Sequence, residues 1–254
     1  MGRRVFFIQM KRAVCSARFL IACIGIGAIM YGNIYWFLVD GGENAISGWS
    51  VLRGMGSFIM TLAIFPLLPF SLSYADERNE RVLPFWIVRI GIKSYMCEKF
   101  IVSVLSGMLA YMGGMLLYLL FACLQFPFHV GGSSAVDAYS EWLEQGKPFL
   151  YFFISVFHYS FSAAIFCGLA VCLSVYIPNR FAVIMLPILI YLLLVRIGEF
   201  NYFSWLRPGS LIESITDAGT PLLSLLVKIG ISCLILLFLC CLTLEQAERR
   251  LKHE

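Results

Sequence analysis

Charge is scarce in this chain of 254 residues: Asp, Glu, Lys and Arg together make up 13% of it, about half the share of an ordinary soluble domain. So few ionised side chains cannot cover a compact globule with polar surface, which excludes a soluble enzyme, a disordered tail and a disulfide-stapled miniprotein. The signatures of nucleotide and metal binding are missing as well. The only Gly-Lys pair, Gly146-Lys147, runs into Pro148, so no G-x-x-x-x-G-K-[ST] phosphate loop exists. The histidines, His129, His158 and His253, stand far apart, and no Cys-x-x-Cys occurs among the nine cysteines, so a zinc or redox site is not expected. Those cysteines lie mostly inside apolar blocks and read as small lipid- or helix-facing residues. With a net charge of only +4 and no dense basic face, nucleic acid is excluded as a partner. No carboxylate falls near the middle of an apolar block, which counts against an ion-driven carrier.

What the sequence does have is apolar residues, 60% of the chain, in long runs. A helix needs about 20 mostly apolar residues to cross a bilayer core of roughly 30 Å. Six stretches qualify or nearly so: 19–39, 58–74, 100–124, 149–177, 181–197 and 222–244. Strand-like alternation is absent, and backbone groups in lipid must be satisfied within the segment, so the spans are helices. The expectation is an all-α integral membrane protein, a single domain over 1–254, with six transmembrane helices. Lys and Arg cluster before the first span, between spans two and three, between four and five, and after the sixth. That bias predicts both termini on the cytoplasmic side of the membrane. The first apolar run follows 18 basic, amphipathic residues and is too long for a signal-peptide core, so no cleavable signal is expected.

Residues 1–18 read as an interfacial amphipathic helix. Phe7, Met10, Val14 and Ala17 share one face, while Arg4, Lys11 and Arg18 recur on another. Small residues at four-residue spacing mark packing faces: Ser106, Ala110 and Gly114 in span three, and Ser160, Ala164, Gly168 and Cys172 in span four. Pro66 and Pro69 in span two and Pro187 in span five remove backbone hydrogen bonds and favour a bend or a cavity lining. Near the outer end of span six stands Lys228, expected to snorkel or to pair with Glu199, Glu213 or Asp217. His158 reads as a helix–helix hydrogen-bonder.

Two connecting segments are too rich to be mere connectors. Residues 75–99 open with Asp76, Glu77, Arg78, Glu80 and Arg81, continue through Leu83, Phe85, Trp86 and Ile87, and close on Arg89, Lys93 and Lys99. Paired charges beside aromatic residues are the composition of an interface helix. Residues 198–221 are too apolar for a free loop and too interrupted for a span, which suggests an external re-entrant segment.

This ensemble resembles the permease subunit of an ABC type-2 exporter. The likeness is carried by Asp76-Glu77, Leu83-Pro84-Phe85 and Glu98-Lys99 in the cytoplasmic link, and by Trp205-Leu206-Arg207-Pro208 before span six. It departs from the family pattern at Glu80-Arg81, where Gly-Thr is common, and at Arg89, where Pro is common. The resemblance implies a subunit with no catalytic, metal or cofactor site of its own. ATP and Mg would be held by two ATPase subunits docked on the link, and a second permease, identical or paralogous, would complete the path. Coupling would fall to Asp76, Glu77, Arg78, Glu80, Arg81, Phe85, Trp86 and Arg89. The path, for a hydrophobic or amphipathic peptide or lipid, would be bordered by Phe65, Phe70, Pro187 and Tyr191. The alternatives are an ion-coupled secondary carrier or channel and, further off, an intramembrane protease.

Overall fold

The computed structural model describes residues 2–40, 44–53, 55–130, 137–198 and 219–251. Among the described residues every regular element is helical and there is no strand. Most of the proposed re-entrant segment 198–221, with Trp205 to Pro208, Glu199, Glu213 and Asp217, lies outside the described residues, as does His253.

Among the described residues four helices are long and apolar enough to cross a membrane: α2 (Ala17–Val39), α7 (Ile92–Gln125), α9 (Pro148–Tyr176) and, over Pro221–Arg250, the helix that we label α11 (Pro221–Leu251). A fifth passage is possible through a broken pair. Helix α3 (Ala45–Arg53) meets α4 (Gly56–Ile64), which continues as a 3-10 turn (Phe65–Leu67), and the two arms are bent by 85°. α10 (Arg180–Gly198) carries Pro187 inside it and Arg residues at both ends. The stretch expected as one span over 58–74 is therefore helical only as far as Leu67. Pro66 and Pro69 cannot donate to the helical ladder, so the chain tightens, turns through 68–72 and restarts as α5 (Ser73–Asn79).

The link 75–99 is not one element. It comprises most of α5, the short α6 (Leu83–Ile90) and the first two turns of α7. Two left-handed residues set its corners: Arg81 at φ 58° between α5 and α6, and Gly91 at φ 86° between α6 and α7. Gly accepts that backbone without cost, whereas an L-residue such as Arg81 pays roughly 1–2 kcal/mol.

α7 stands at the centre, packed on α1, α2, α9 and α11. Glycines allow the close approach. A Cβ on Gly107 would lie 2.2 Å from Cys167 Sγ and 3.0 Å from the Pro66 carbonyl, and one on Gly114 would lie 2.5 Å from Ile26 Cβ. Lipid tails are as apolar as Leu, so helices in a bilayer associate through this kind of contact rather than a hydrophobic force. The periphery differs: 72% of the α9 hydropathy window is buried against 22% of that of α11. Helix α1 (Gly2–Val14) presses Phe6, Met10 and Ala13 against Phe70 and Val102, and leaves Phe7 and Ile8 exposed. The buried face is thus offset from the expected Phe7-centred stripe. Ser16 then caps α2, its hydroxyl accepting from the Phe19 amide.

Candidate functional site

The link binds itself to the bundle through two adjacent carboxylates that point different ways. Glu77, one residue beyond Asp76 on α5, is buried. Its Oε1 takes a hydrogen bond from Lys99 Nζ at 2.5 Å, and its Oε2 one from the Tyr95 hydroxyl at 2.5 Å. Both donors come from the first turns of α7. Lys99 is equally buried; its ammonium also reaches Ser73 Oγ at 3.2 Å and sits 4.5 Å from the centre of the Phe70 ring. A buried ammonium surrounded by a carboxylate, a hydroxyl and an aromatic face is compensated on several sides, which such a group requires. From α1, Arg12 stands 3.6 Å from Glu77. Asp76 turns outward, joining Arg18 of α2 at 3.0 Å and Arg180 of α10 at 2.5 Å. One dipeptide therefore ties α5 to α1, α2, α7 and α10.

The rest of this end is stapled as well. Lys93 pairs with Glu248 at 3.2 Å, and Arg250 donates to the Val175 and Tyr176 carbonyls at the end of α9. α6 divides its face. Leu83 is buried, and Trp86 and Ile87 pack on a cluster of Tyr74, Tyr95, Met96, Val175 and Ala247. Phe85 and Val88 are 76% and 89% exposed, with Arg89 exposed beside them. The expected coupling residues thus separate into two sets. Glu77 and Trp86 pack inward with Asp76 and Arg78 half-buried beside them, and Glu80, Arg81, Phe85 and Arg89 face out.

The expected path residues do not share one surface. Phe65 and Tyr191 belong to the large aromatic cluster, Tyr191 meeting Phe166 edge-on at 5.7 Å. Pro187 is buried within α10, which packs on α4 and α9. Phe70 belongs to the charged end, beneath Lys99.

At the opposite end of the bundle is a second buried polar centre that the sequence reading passed over. Arg53, at the end of α3, bonds to the carboxylate of Asp137, and its Nη2 donates to the Tyr151 hydroxyl at 2.6 Å. Tyr151 in turn donates to Asp137 at 2.8 Å, and the guanidinium stands 5.5 Å from the Trp49 ring. Lys228 is buried here, its ammonium 5.6 Å from the Tyr139 ring, and so does not snorkel. Burial pushes the Tyr139 phenol well above its ordinary pKa. His158 packs edge-on to Tyr139 and Tyr159. The one available signal for these residues was that an ionised side chain beside an apolar run needs a partner; which partner depends on the fold.

Among the described residues no group of three or more His, Cys, Asp and Glu is placed to hold a metal ion. No protein-family model matches the chain, and comparison with curated proteins and with solved structures gives no match.

Proposed function

We propose that this chain is the permease subunit of an ATP-binding-cassette exporter, crossing a bacterial plasma membrane six times with both ends in the cytoplasm. Separate ATPase subunits grip α6, and a second permease completes the path. The observation that supports this best is the division of labour in the link. α6 offers Phe85, Val88 and Arg89 outward, while Asp76 and Glu77 on α5 anchor the same segment to α2, α7 and α10. A push on such a segment is delivered to three membrane-embedded helices at once, and a small load can then select between two packings of the bundle. Contact between α4 and α10 supports a path bordered by the second and fifth passages, with an amphipathic peptide or lipid as cargo. The exposed apolar sides of α2 and α11 suit lipid or the second permease.

The test is extraction of the tagged chain from its own membrane in mild detergent, followed by an ATPase assay of what comes with it. Wild type retains ATP-hydrolysing subunits; a variant with Phe85→Ser, Val88→Ser and Arg89→Glu loses them at unchanged thermal stability, because all three side chains are exposed. A wild-type preparation without hydrolysis, or a triple variant with the full amount, refutes the assignment.

A further inference from the structure

A cavity of about 370 Å³ lies between the α1–α2 corner and α5. Arg12 and Arg18 reach it from α1 and α2; Asp76, Glu77 and Glu80 reach it from α5, with Phe70 between. That volume falls within the range of small-molecule sites. Its charges are not equally engaged. Glu77 is held by Lys99 at 2.5 Å, and Asp76 by Arg180 at 2.5 Å and by one N–H of the half-exposed Arg18 at 3.0 Å. Arg12, by contrast, has a side chain 67% exposed and is 3.6 Å from Glu77, beyond a good hydrogen bond. Glu80 is exposed on the other side. The free groups are thus the Arg12 guanidinium and the N–H donors that Arg18 does not give to Asp76 on one wall, and a carboxylate on the other, an arrangement that complements a phosphate joined by a short linker to an ammonium.

The height of the cavity says where such a ligand comes from. α1 buries Phe6, Met10 and Ala13 and turns Phe7 and Ile8 out at the charged end of the bundle. A helix of this kind lies at the boundary between headgroups and acyl chains. The cavity beside it therefore opens at headgroup level.

We propose that this cavity binds the headgroup of an aminophospholipid, phosphatidylethanolamine in chemistry, with Arg12 and Arg18 on the phosphate and Glu80 on the primary ammonium. Phosphatidylglycerol offers Glu80 no cation. Phosphatidylcholine offers a cation with no N–H to donate. The inference rests on the chain lying in a membrane and is independent of the exporter reading.

The purified full-length chain is equilibrated in mixed micelles with equal amounts of phosphatidylethanolamine, phosphatidylcholine and phosphatidylglycerol, and the lipid retained through gel filtration is quantified. Phosphatidylethanolamine is retained in about fivefold excess over either competitor, the scale of one exposed ionic contact. Glu80→Gln brings phosphatidylethanolamine and phosphatidylglycerol to parity, and Arg12→Gln lowers both alike. Melting curves of both variants match wild type, since neither side chain is buried. Excess water-soluble glycerophosphoethanolamine leaves the lipid in place; displacement by it assigns the cavity to a free phosphoamine and overturns the lipid assignment. Equal retention of all three lipids by wild type overturns it too, as does unchanged lipid selectivity in either variant.

Discussion

Removing the charge of Glu77 tests whether the link is tied to the bundle by electrostatics or merely by shape. In Glu77→Gln the amide still fills the site and can accept from the Tyr95 hydroxyl, so packing is preserved and only the charge is lost. Lys99 is then a buried ammonium left with Ser73 Oγ at 3.2 Å and the Phe70 ring face at 4.5 Å, neither of which carries a negative charge. Breaking one side of a buried ion pair typically costs about 3–5 kcal/mol. For a chain of this size that corresponds to a fall in melting temperature of roughly 6–20 °C. The converse change is milder. In Lys99→Met, Glu77 keeps the Tyr95 hydroxyl at 2.5 Å and has Arg12 at 3.6 Å, mobile enough to swing in. We expect Lys99→Met to cost less than Glu77→Gln, and the double variant to recover most of the loss, because no uncompensated charge remains. Thermal unfolding of the four proteins in one detergent completes the cycle. A Glu77→Gln penalty under about 1 kcal/mol, or a double variant that loses the sum of the singles, refutes the reasoning.

Further outcomes follow from the same geometry. Gly107→Ala places a methyl 2.2 Å from Cys167 Sγ and should cost about 1–3 kcal/mol; Cys167→Ala restores part of it, the Pro66 carbonyl at 3.0 Å accounting for the remainder. Gly91→Ala meets no neighbour but must hold φ 86°; it should lower stability by about 1–2 kcal/mol and, if the proposed function holds, weaken retention of ATPase subunits by re-aiming α6. Asp76→Asn breaks pairs with Arg18 and Arg180, whose side chains are 52% and 58% exposed, so the loss stays within about 1 kcal/mol per pair and vanishes in high salt. Asp137→Asn strands the buried guanidinium of Arg53 and should cost about 3–5 kcal/mol whatever the salt; equal salt sensitivity in the two Asp variants contradicts the difference in burial.

The membrane-length helices were legible because their cause is local. An apolar run of sufficient length is helical in lipid wherever it sits, so α2, α7, α9 and α11 appear close to the expected stretches. The small-residue faces were legible for a related reason: Gly114 lies where the α2 backbone approaches, and Gly168 makes room for the side chains of Leu236 on α11 and Phe100 on α7. Pro66 and Pro69 announced a disturbance but not its extent, since an 85° bend between two arms depends on what they pack against. The early start of α7 at Ile92 was hidden because its polar first turns read as the close of an interface helix in the link, separate from the span expected from 100. Lys93 and Lys99 look solvated until Glu248 and Glu77 arrive from elsewhere in the chain.

Charge pairing is therefore where the sequence stopped speaking. Glu77 looked like a surface residue of a docking segment, and the cluster around it was legible as important but not as inward-facing. Its partner lies 22 residues on, a separation that no periodicity encodes. Arg53 and Asp137 are 84 residues apart and gave no hint of each other. The physical consequence joins the two ends of the molecule. Between them, α4, α7, α9 and α10 touch through small side chains and aromatic edges, contacts that slide or tilt at modest cost. At each end a buried ion pair fixes the helices point to point, and such a pair tolerates little stretching before it leaves a naked charge. A bundle pinned by charge at its ends and packed by small residues along its middle is stiff at its ends and compliant between them, which is what the proposed coupling and path would require. Loosening one pin while sparing the other, by Glu77→Gln at one end or Asp137→Asn at the other, should accordingly shift the balance between packings rather than unfold the protein outright, a distinction that amide hydrogen exchange measures by quickening at the loosened end alone.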